Sequence, residues 1–176
     1  MTPVNKVPSL HEHGLPLEVH WDRIAETVRH CLQLDAPFPP EQLWVIAPDG
    51  GLRGHYRGDD SSVRVPFHEL GKLYQAVFLH THPPRFGPNV SDLYLAAIAS
   101  SPLLAVIAGD QAHLVFVWHR SAPGLVGAQI AAAGELRPAL EAVGGRWLQC
   151  PTSEITNAIR RDVAGLWEAF VRALAW

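Results

Sequence analysis

The sequence predicts a mixed α/β domain, with a sheet flanked by helices, and three observations carry that expectation. Apolar runs short enough for buried strands recur at residues 76–80, 103–108 and 114–118. Strong turn chemistry separates two further β-like runs near position 50, and apolar stripes at spacings of three and four mark helices near both ends. A chain of 176 residues is long enough for one such domain with a sizeable core and too short for two of full size.

Taken in order, residues 1–19 hold Pro3, Pro8, Pro16 and the polar cluster His11-Glu12-His13-Gly14 without any sustained period, which reads as an arm that lies on the domain or frays. Trp21, Ile24, Val28, Cys31 and Leu32 then form the stripe of a first helix over 21–34, ended by Pro37, Pro39 and Pro40. Runs at 43–47 and 52–56 flank Pro48-Asp49-Gly50-Gly51, the turn of a hairpin. Val63 to Val65 reads as a third short strand, and Pro66 suits the first position of a helix over 67–74. Residues 76–80 are continuously apolar until His80, as expected of a buried strand that delivers a side chain to the edge of the sheet, so the site is expected there.

The loop at 81–90 carries three prolines and a glycine, and a helix is expected over 93–100. The runs 103–108 and 114–118 pair around Gly109-Asp110. After His119 the chain looks looser, marked by Ala131-Ala132-Ala133 and Gly144-Gly145. From Ser153 a helical pattern returns, with Ile155, Ile159, Val163, Leu166, Phe170 and Leu174 on one face and Thr152 or Ser153 as its cap. Docking of this helix on its own domain is expected in preference to dimerisation.

Composition removes several classes of function. Hydrophobic residues at 48% and charged residues at 18% give a globular balance, and no window has the roughly 18 uninterrupted apolar residues of a membrane span. Fourteen Lys and Arg against 17 Asp and Glu, with no long basic run, give a nucleic-acid partner little electrostatic support. Cys31 and Cys150 are the only cysteines and form no CxxC pair, so any metal must use histidine and carboxylate. The start of the chain lacks the apolar core of a secretory signal, which makes a reducing cytoplasm the default expectation. Ten histidines are the compositional oddity.

The informative segment is His80-Thr81-His82-Pro83, followed ten residues after His82 by Asp92. Residues two apart on a strand share a side, so two imidazoles can face one point, and the turn-rich loop can bring the Asp92 carboxylate back to them. Two nitrogens and one oxygen leave a tetrahedral zinc one open position for water, the pattern of a catalytic site. Such a water can be ionised near neutral pH, and a neighbouring carboxylate must then carry its proton to a leaving amine. Glu41, at the start of the first strand, is the better candidate. Glu69 is the rival, more easily explained as part of a solvated helical face.

HTHP with an aspartate at this distance and a glutamate upstream at a strand start resembles the JAMM (MPN+) zinc metalloprotease family, whose pattern is Glu, then His-Ser/Thr-His-Pro, then Ser-x-x-Asp after a loop. The resemblance implies a cytidine-deaminase-like fold, a mixed curved sheet flanked by helices. It makes His80, His82 and Asp92 the ligands of one zinc per chain with a bound water, and Glu41 the general acid/base. The slot of the family's serine holds Asn89 in Asn89-Val90-Ser91-Asp92, and the loop from His82 is one residue shorter than usual, so Asn89 or Ser91 is the expected oxyanion donor.

The likeness covers about residues 20–120, leaving 1–19 as an N-terminal arm and 121–176 as a C-terminal helical extension packed on the same domain. The short hairpin over 41–56 looks like that of the bacterial members. Their chemistry implies hydrolysis of peptide or isopeptide bonds at the C-terminus of a ubiquitin-like protein or sulfur carrier, with E1-like or E2-like enzymes as partners. An extended tail of that kind can add as a strand to a sheet edge. Two other readings compete: a non-catalytic MPN-type binding scaffold, and a zinc amidase acting on a small-molecule or peptidoglycan-type amide.

The remaining features have plainer explanations. His11 and His13 sit in the arm without a placed carboxylate and read as surface residues, and His55, His68, His113 and His119 as surface or satisfied polar groups. Asp59-Asp60-Ser61-Ser62 reads as a turn, because it lacks the spacing of a calcium loop. Cys31, Trp21, Trp118 and Trp167 fit apolar stripes. Trp176 is a loose end or an interface anchor.

Overall fold

A computed structural model describes residues 14–16, 18–34, 39–118 and 122–174. His11, His13, Pro37, His119 and Trp176 lie outside the described residues, so the expectations placed on them are not addressed by it. Among the described residues, six strands make a single mixed sheet in the order β2-β1-β3-β4-β5-β6: β1 Gln42–Ile46, β2 Leu52–Arg57, β3 Val77–His82, β4 Leu104–Ala108, β5 Gln111–Phe116 and β6 Arg146–Pro151. Neighbours are antiparallel except β3 and β4, which run parallel. A parallel pair needs a crossover, and the helix α2 Val90–Ile98 supplies it.

Helices cover both faces. On one side lie α1 Trp21–Leu34 and the C-terminal helix, which runs through Ile155–Asn157, a π-wound turn Ala158–Val163, and Ala164–Leu174. Trp21, Ile24 and Val28 meet Trp44, Ile46, Leu79, Ile107 and Leu114 there, with Ile159, Val163 and Trp167 from the C-terminal helix. That helix therefore docks on its own domain, as expected. On the other side lie α2, α3 Pro123–Ala133 and α4 Leu136–Val143, packed on Leu43, Val45, Phe78, Leu104, Val106 and Val115. Leu15, from the arm, is buried in the first of these clusters, and the Gln75 side chain donates to the Gly14 carbonyl at 2.9 Å.

The first helix and the hairpin fall where the sequence places them, and the β4–β5 pair forms around Gly109-Asp110 with β5 at 111–116 instead of 114–118. Elsewhere the chain departs from expectation for identifiable reasons. Val63 to Val65 is not a strand, and the helix expected over 67–74 is a 3-10 stretch, Phe67–Leu73, with Gly71 inside it. β3 continues two residues further, through His82. α2 starts at Val90 instead of 93 because Asn89 caps it. Thr152 and Ser153 do not cap the last helix; they sit in a 3-10 turn, and Thr152 Oγ1 donates to the Gly109 carbonyl at 3.0 Å.

The stretch that looked loose after His119 holds α3, α4 and β6, so residues 121–176 contribute a strand of the sheet as well as helices. α3 is apolar almost all round, which erases the stripe that would announce it, and it is sandwiched between α2 and α4. Gly134 and Gly144 have left-handed φ of 76° and 65° and end α3 and α4. No helix among the described residues is long and apolar enough to cross a membrane.

Candidate metal centre

At the C-terminal end of β3, alternate residues His80 and His82 face the side of the sheet covered by α2. The β1–β3 ladder pairs Leu43 with His80, so Glu41, two residues ahead of Leu43, arrives on the same side at the same end. Glu41 is held from the outer side as well: its N–H donates to the Asp59 carbonyl at 2.8 Å, and the Gly58 N–H donates to its carbonyl at 2.9 Å. Asp92 comes from the first turn of α2, where parallel β3 hands the chain to its crossover.

Asn89 and Asp92 form a reciprocal capping box. The Asp92 N–H donates to Asn89 Oδ1 at 3.0 Å and the Asn89 N–H donates to Asp92 Oδ2 at 2.9 Å. The asparagine-for-serine departure in the Asn89-x-x-Asp92 slot thus keeps a capping side chain, and the box aims the carboxylate at the imidazoles. Burial alone would raise the Asp92 carboxyl, but the His80 ring, the Asn89 amide and the His82 ring hold it below its ordinary value, so it is ionised at neutral pH.

The four side chains converge. His80 Nε2 lies 3.4 Å from Glu41 Oε2, His80 Nδ1 lies 3.4 Å from Asp92 Oδ1, and His82 Nε2 lies 3.4 Å from Asp92 Oδ2. His82 Nδ1 donates to the Gly87 carbonyl at 2.9 Å, with the Phe86 carbonyl at 3.3 Å. Carbonyls only accept, so Nδ1 carries a hydrogen, and Nε2 is the ring atom that faces a carboxylate oxygen. A proton or a metal ion between these two atoms would satisfy both. His80 Nε2 is likewise buried without a hydrogen-bond partner.

Glu41, His80 and His82 offer ligand atoms that all fall within 4.8 Å of one another, and this buried group could hold a metal ion. Asp92 is outside that tight group of three but touches it through each histidine. Bonds of about 2.1 Å place tetrahedral zinc ligands about 3.4 Å apart, which matches the His82–Asp92 separation. The donor set of nitrogen and oxygen suits zinc and other divalent first-row ions alike.

A cleft opens over the group, walled by Asp60, Ser61, Ser62 and Val63 on one side and by Phe86, Gly87, Asn89 and Ser91 on the other. Asn89 and Ser91, the expected oxyanion donors, both line it; the asparagine's carbonyl oxygen is committed to the capping box, so its NH2 is the end left to donate. Glu69 does not line it and pairs with Lys72 at 3.0 Å.

The Asp59 stretch is a turn, as expected, with the carboxylate accepting the Ser61 and Ser62 N–H groups at 2.8 Å each. Sequence reasoning missed that this turn walls the cleft, which depends on a register that no local signal reports. Two of the other histidines are satisfied polar groups: His55 stacks on Trp44 and bonds Gln42, and the Trp147 indole donates to His113 Nδ1 at 3.2 Å. Compared with known proteins, the chain matches no family model, no curated sequence and no solved structure.

Proposed function

We propose that this chain is a zinc-dependent hydrolase of the JAMM type, cleaving peptide or isopeptide bonds at the C-terminus of a ubiquitin-like protein or sulfur carrier. The observation that carries the reading is the meeting of Glu41, His80, His82 and Asp92, from three separate stretches, beneath an open cleft. The order of elements supports a cytidine-deaminase-like fold: helix, glutamate-bearing hairpin, short helical turn, metal strand, loop, helix, strand pair.

The residues fit the ion. Two carboxylates beside two imidazoles, with a buried ring nitrogen lacking a hydrogen-bond partner, make a place that favours a cation. His80, His82 and Asp92 would hold it, and Glu41 would stay free for proton transfer. When bound, zinc supplies Lewis-acid polarisation of the scissile carbonyl and a water of lowered pKa.

Glu41 accepts a proton at Oε2 and returns it to the departing amine, for which its position on the cleft floor, restrained from the β2 side by two main-chain bonds, is suited. The Asn89 amide and the Ser91 hydroxyl stand on the wall beside Asp92, where an oxyanion donor is needed.

The test is hydrolysis of a panel of ubiquitin-like C-terminal fusions, run with metal analysis. The wild-type chain is expected to carry about one zinc and to cleave. Glu41→Gln should keep the metal and lose turnover by about 10³-fold or more. Equal readings with and without chelator would favour a binding scaffold instead. Cleavage of small or peptidoglycan-type amides with no action on the fusions would favour the amidase.

A further inference from the structure

We propose that Thr81, the residue between the two histidines, is a positioning residue for Glu41, its hydroxyl fixing how far the glutamate stands from the metal strand. The inference rests on the reading of Glu41 as the proton carrier. Thr81 points away from the cleft, into the face covered by α1, and is fully buried. A hydroxyl there is out of keeping with its neighbours in the row, Leu79 and Ile107, and needs a reason.

The reason is on β1. The β1–β3 ladder stops at the pair Leu43 and His80, and the next donor, the Gln42 N–H, goes to Thr81 Oγ1 at 2.8 Å. One peptide beyond that bond is Glu41, whose side chain leaves on the opposite face and brings Oε2 to 3.4 Å from His80 Nε2. On its other side Glu41 is tied to Gly58 and Asp59. The Thr81 hydroxyl is therefore the tie that joins this end of β1 to the strand carrying both histidines.

The strands pass from main-chain pairing to a side-chain bond at the level where the cleft opens. A side-chain acceptor lets the two backbones diverge there while keeping their spacing defined. An apolar residue of the same shape would fill the space and lose the tie.

Thr81→Val and Thr81→Ser provide the test. Thr81→Val is expected to keep about one zinc and a KM within about twofold of wild type, while kcat falls about 10- to 100-fold through misplacement of the carboxylate. Thr81→Ser, which restores the acceptor, should recover kcat to within about threefold. Independently of activity, amide exchange at Gln42 should accelerate in the valine variant, and a crystal structure of it should show Glu41 Oε2 withdrawn from His80 Nε2.

An unchanged kcat with accelerated exchange at Gln42 would overturn the proposal, and so would loss of zinc in step with loss of turnover. Should the valine variant fail to fold, Thr81→Cys keeps the volume with a weaker acceptor and is scored the same way. If the wild-type chain cleaves nothing, the hydrolase reading fails on its own. The crystal structure of the variant then decides the positioning role, an unmoved Glu41 being the result against it.

Discussion

The two faces of the sheet are made from alternate residues of the same strands, yet they end differently at the C-terminal edge of β3. Under α1 and the C-terminal helix, Trp44, Ile46, Leu79 and Ile107 form an apolar layer closed by the rings of Trp21, Trp118 and Trp167, and the polar side chains at its edge, Thr81 and Gln42, are neutral and hydrogen-bonded. On the opposite face the apolar layer of Leu43, Phe78 and Val106 gives way to Glu41, His80 and His82. The closed face sets register and stability, because a slip of one residue would drive both histidines into that layer. The open face can then carry charged groups whose mutual repulsion and desolvation the rest of the fold must offset.

If that division is right, changes on the open face should remove chemistry and leave the fold, and the largest effect should come from a ligand. His82→Ala should lose zinc and turnover together, by about 10³-fold or more in rate, with the unfolding midpoint of the metal-free protein close to that of the metal-free wild type. Metal analysis and thermal unfolding of the same sample check both halves. A variant that fails to fold without metal would show that the open face is also structural, and the division would not hold.

The reverse experiment belongs to the closed face. Trp167 packs edge-on to Trp21 at 5.9 Å and to Trp118 at 5.1 Å between ring centroids. Trp167→Ala should cost about 3–5 kcal/mol in denaturant unfolding, as expected for truncation of a large buried aromatic. Zinc content of the folded fraction should not change. Loss of zinc from protein that is still folded would mean that the two faces are coupled more tightly than their alternation requires.

How much of this was legible in the sequence follows from the same contrast. α1 and the last helix carry strong stripes because each has one wet side, and both were readable. α3 exposes one side, but glycine, alanine and Leu125 fill it with Gln129 its one polar residue, so it has no polar stripe, while β6 is an edge strand, RWLQCP, without a clean alternation, so neither announced itself. His80 and His82 were legible through the two-residue period of a strand. Asp92 was placed by distance along the chain, and the physical reason for it, the Asn89–Asp92 box, is a local pattern that could have been read directly. The Asp59–Ser62 wall of the cleft was not legible, since only the pairing of β1 with both β2 and β3 brings it there.

A finer probe of the open face is that box. Asn89→Ala removes the acceptor for the Asp92 N–H and should cost about 1 kcal/mol of stability. Because the same box aims the Asp92 carboxylate, zinc affinity should also weaken by about 10- to 100-fold, as for other outer-layer supports of metal ligands. Asn89→Ser restores a capping oxygen and should recover most of both. Competition with a chelating dye measures the affinity; full affinity in the alanine variant would show that the helix backbone alone positions Asp92.

The smallest effect tests how far the open face stays open. Tyr56 shares a row with Leu43 and His80, two strands away from the histidine, so one line of side chains runs from the cleft to a buried phenol. Burial, with the Glu69 carboxylate adding to it, pushes the Tyr56 phenol up to about 12. In the unfolded chain the proton leaves near the ordinary value of about 10. Between these values the folded state still holds a proton that the unfolded state has released, so stability falls as pH rises through that window and is unaffected by this group below it. Tyr56→Phe should flatten the alkaline slope of the unfolding midpoint, and the absorbance titration of wild type minus variant should centre near 12. A centre near the ordinary value would show that solvent reaches the phenol, and that the row is open along its whole length instead of only at the histidine end.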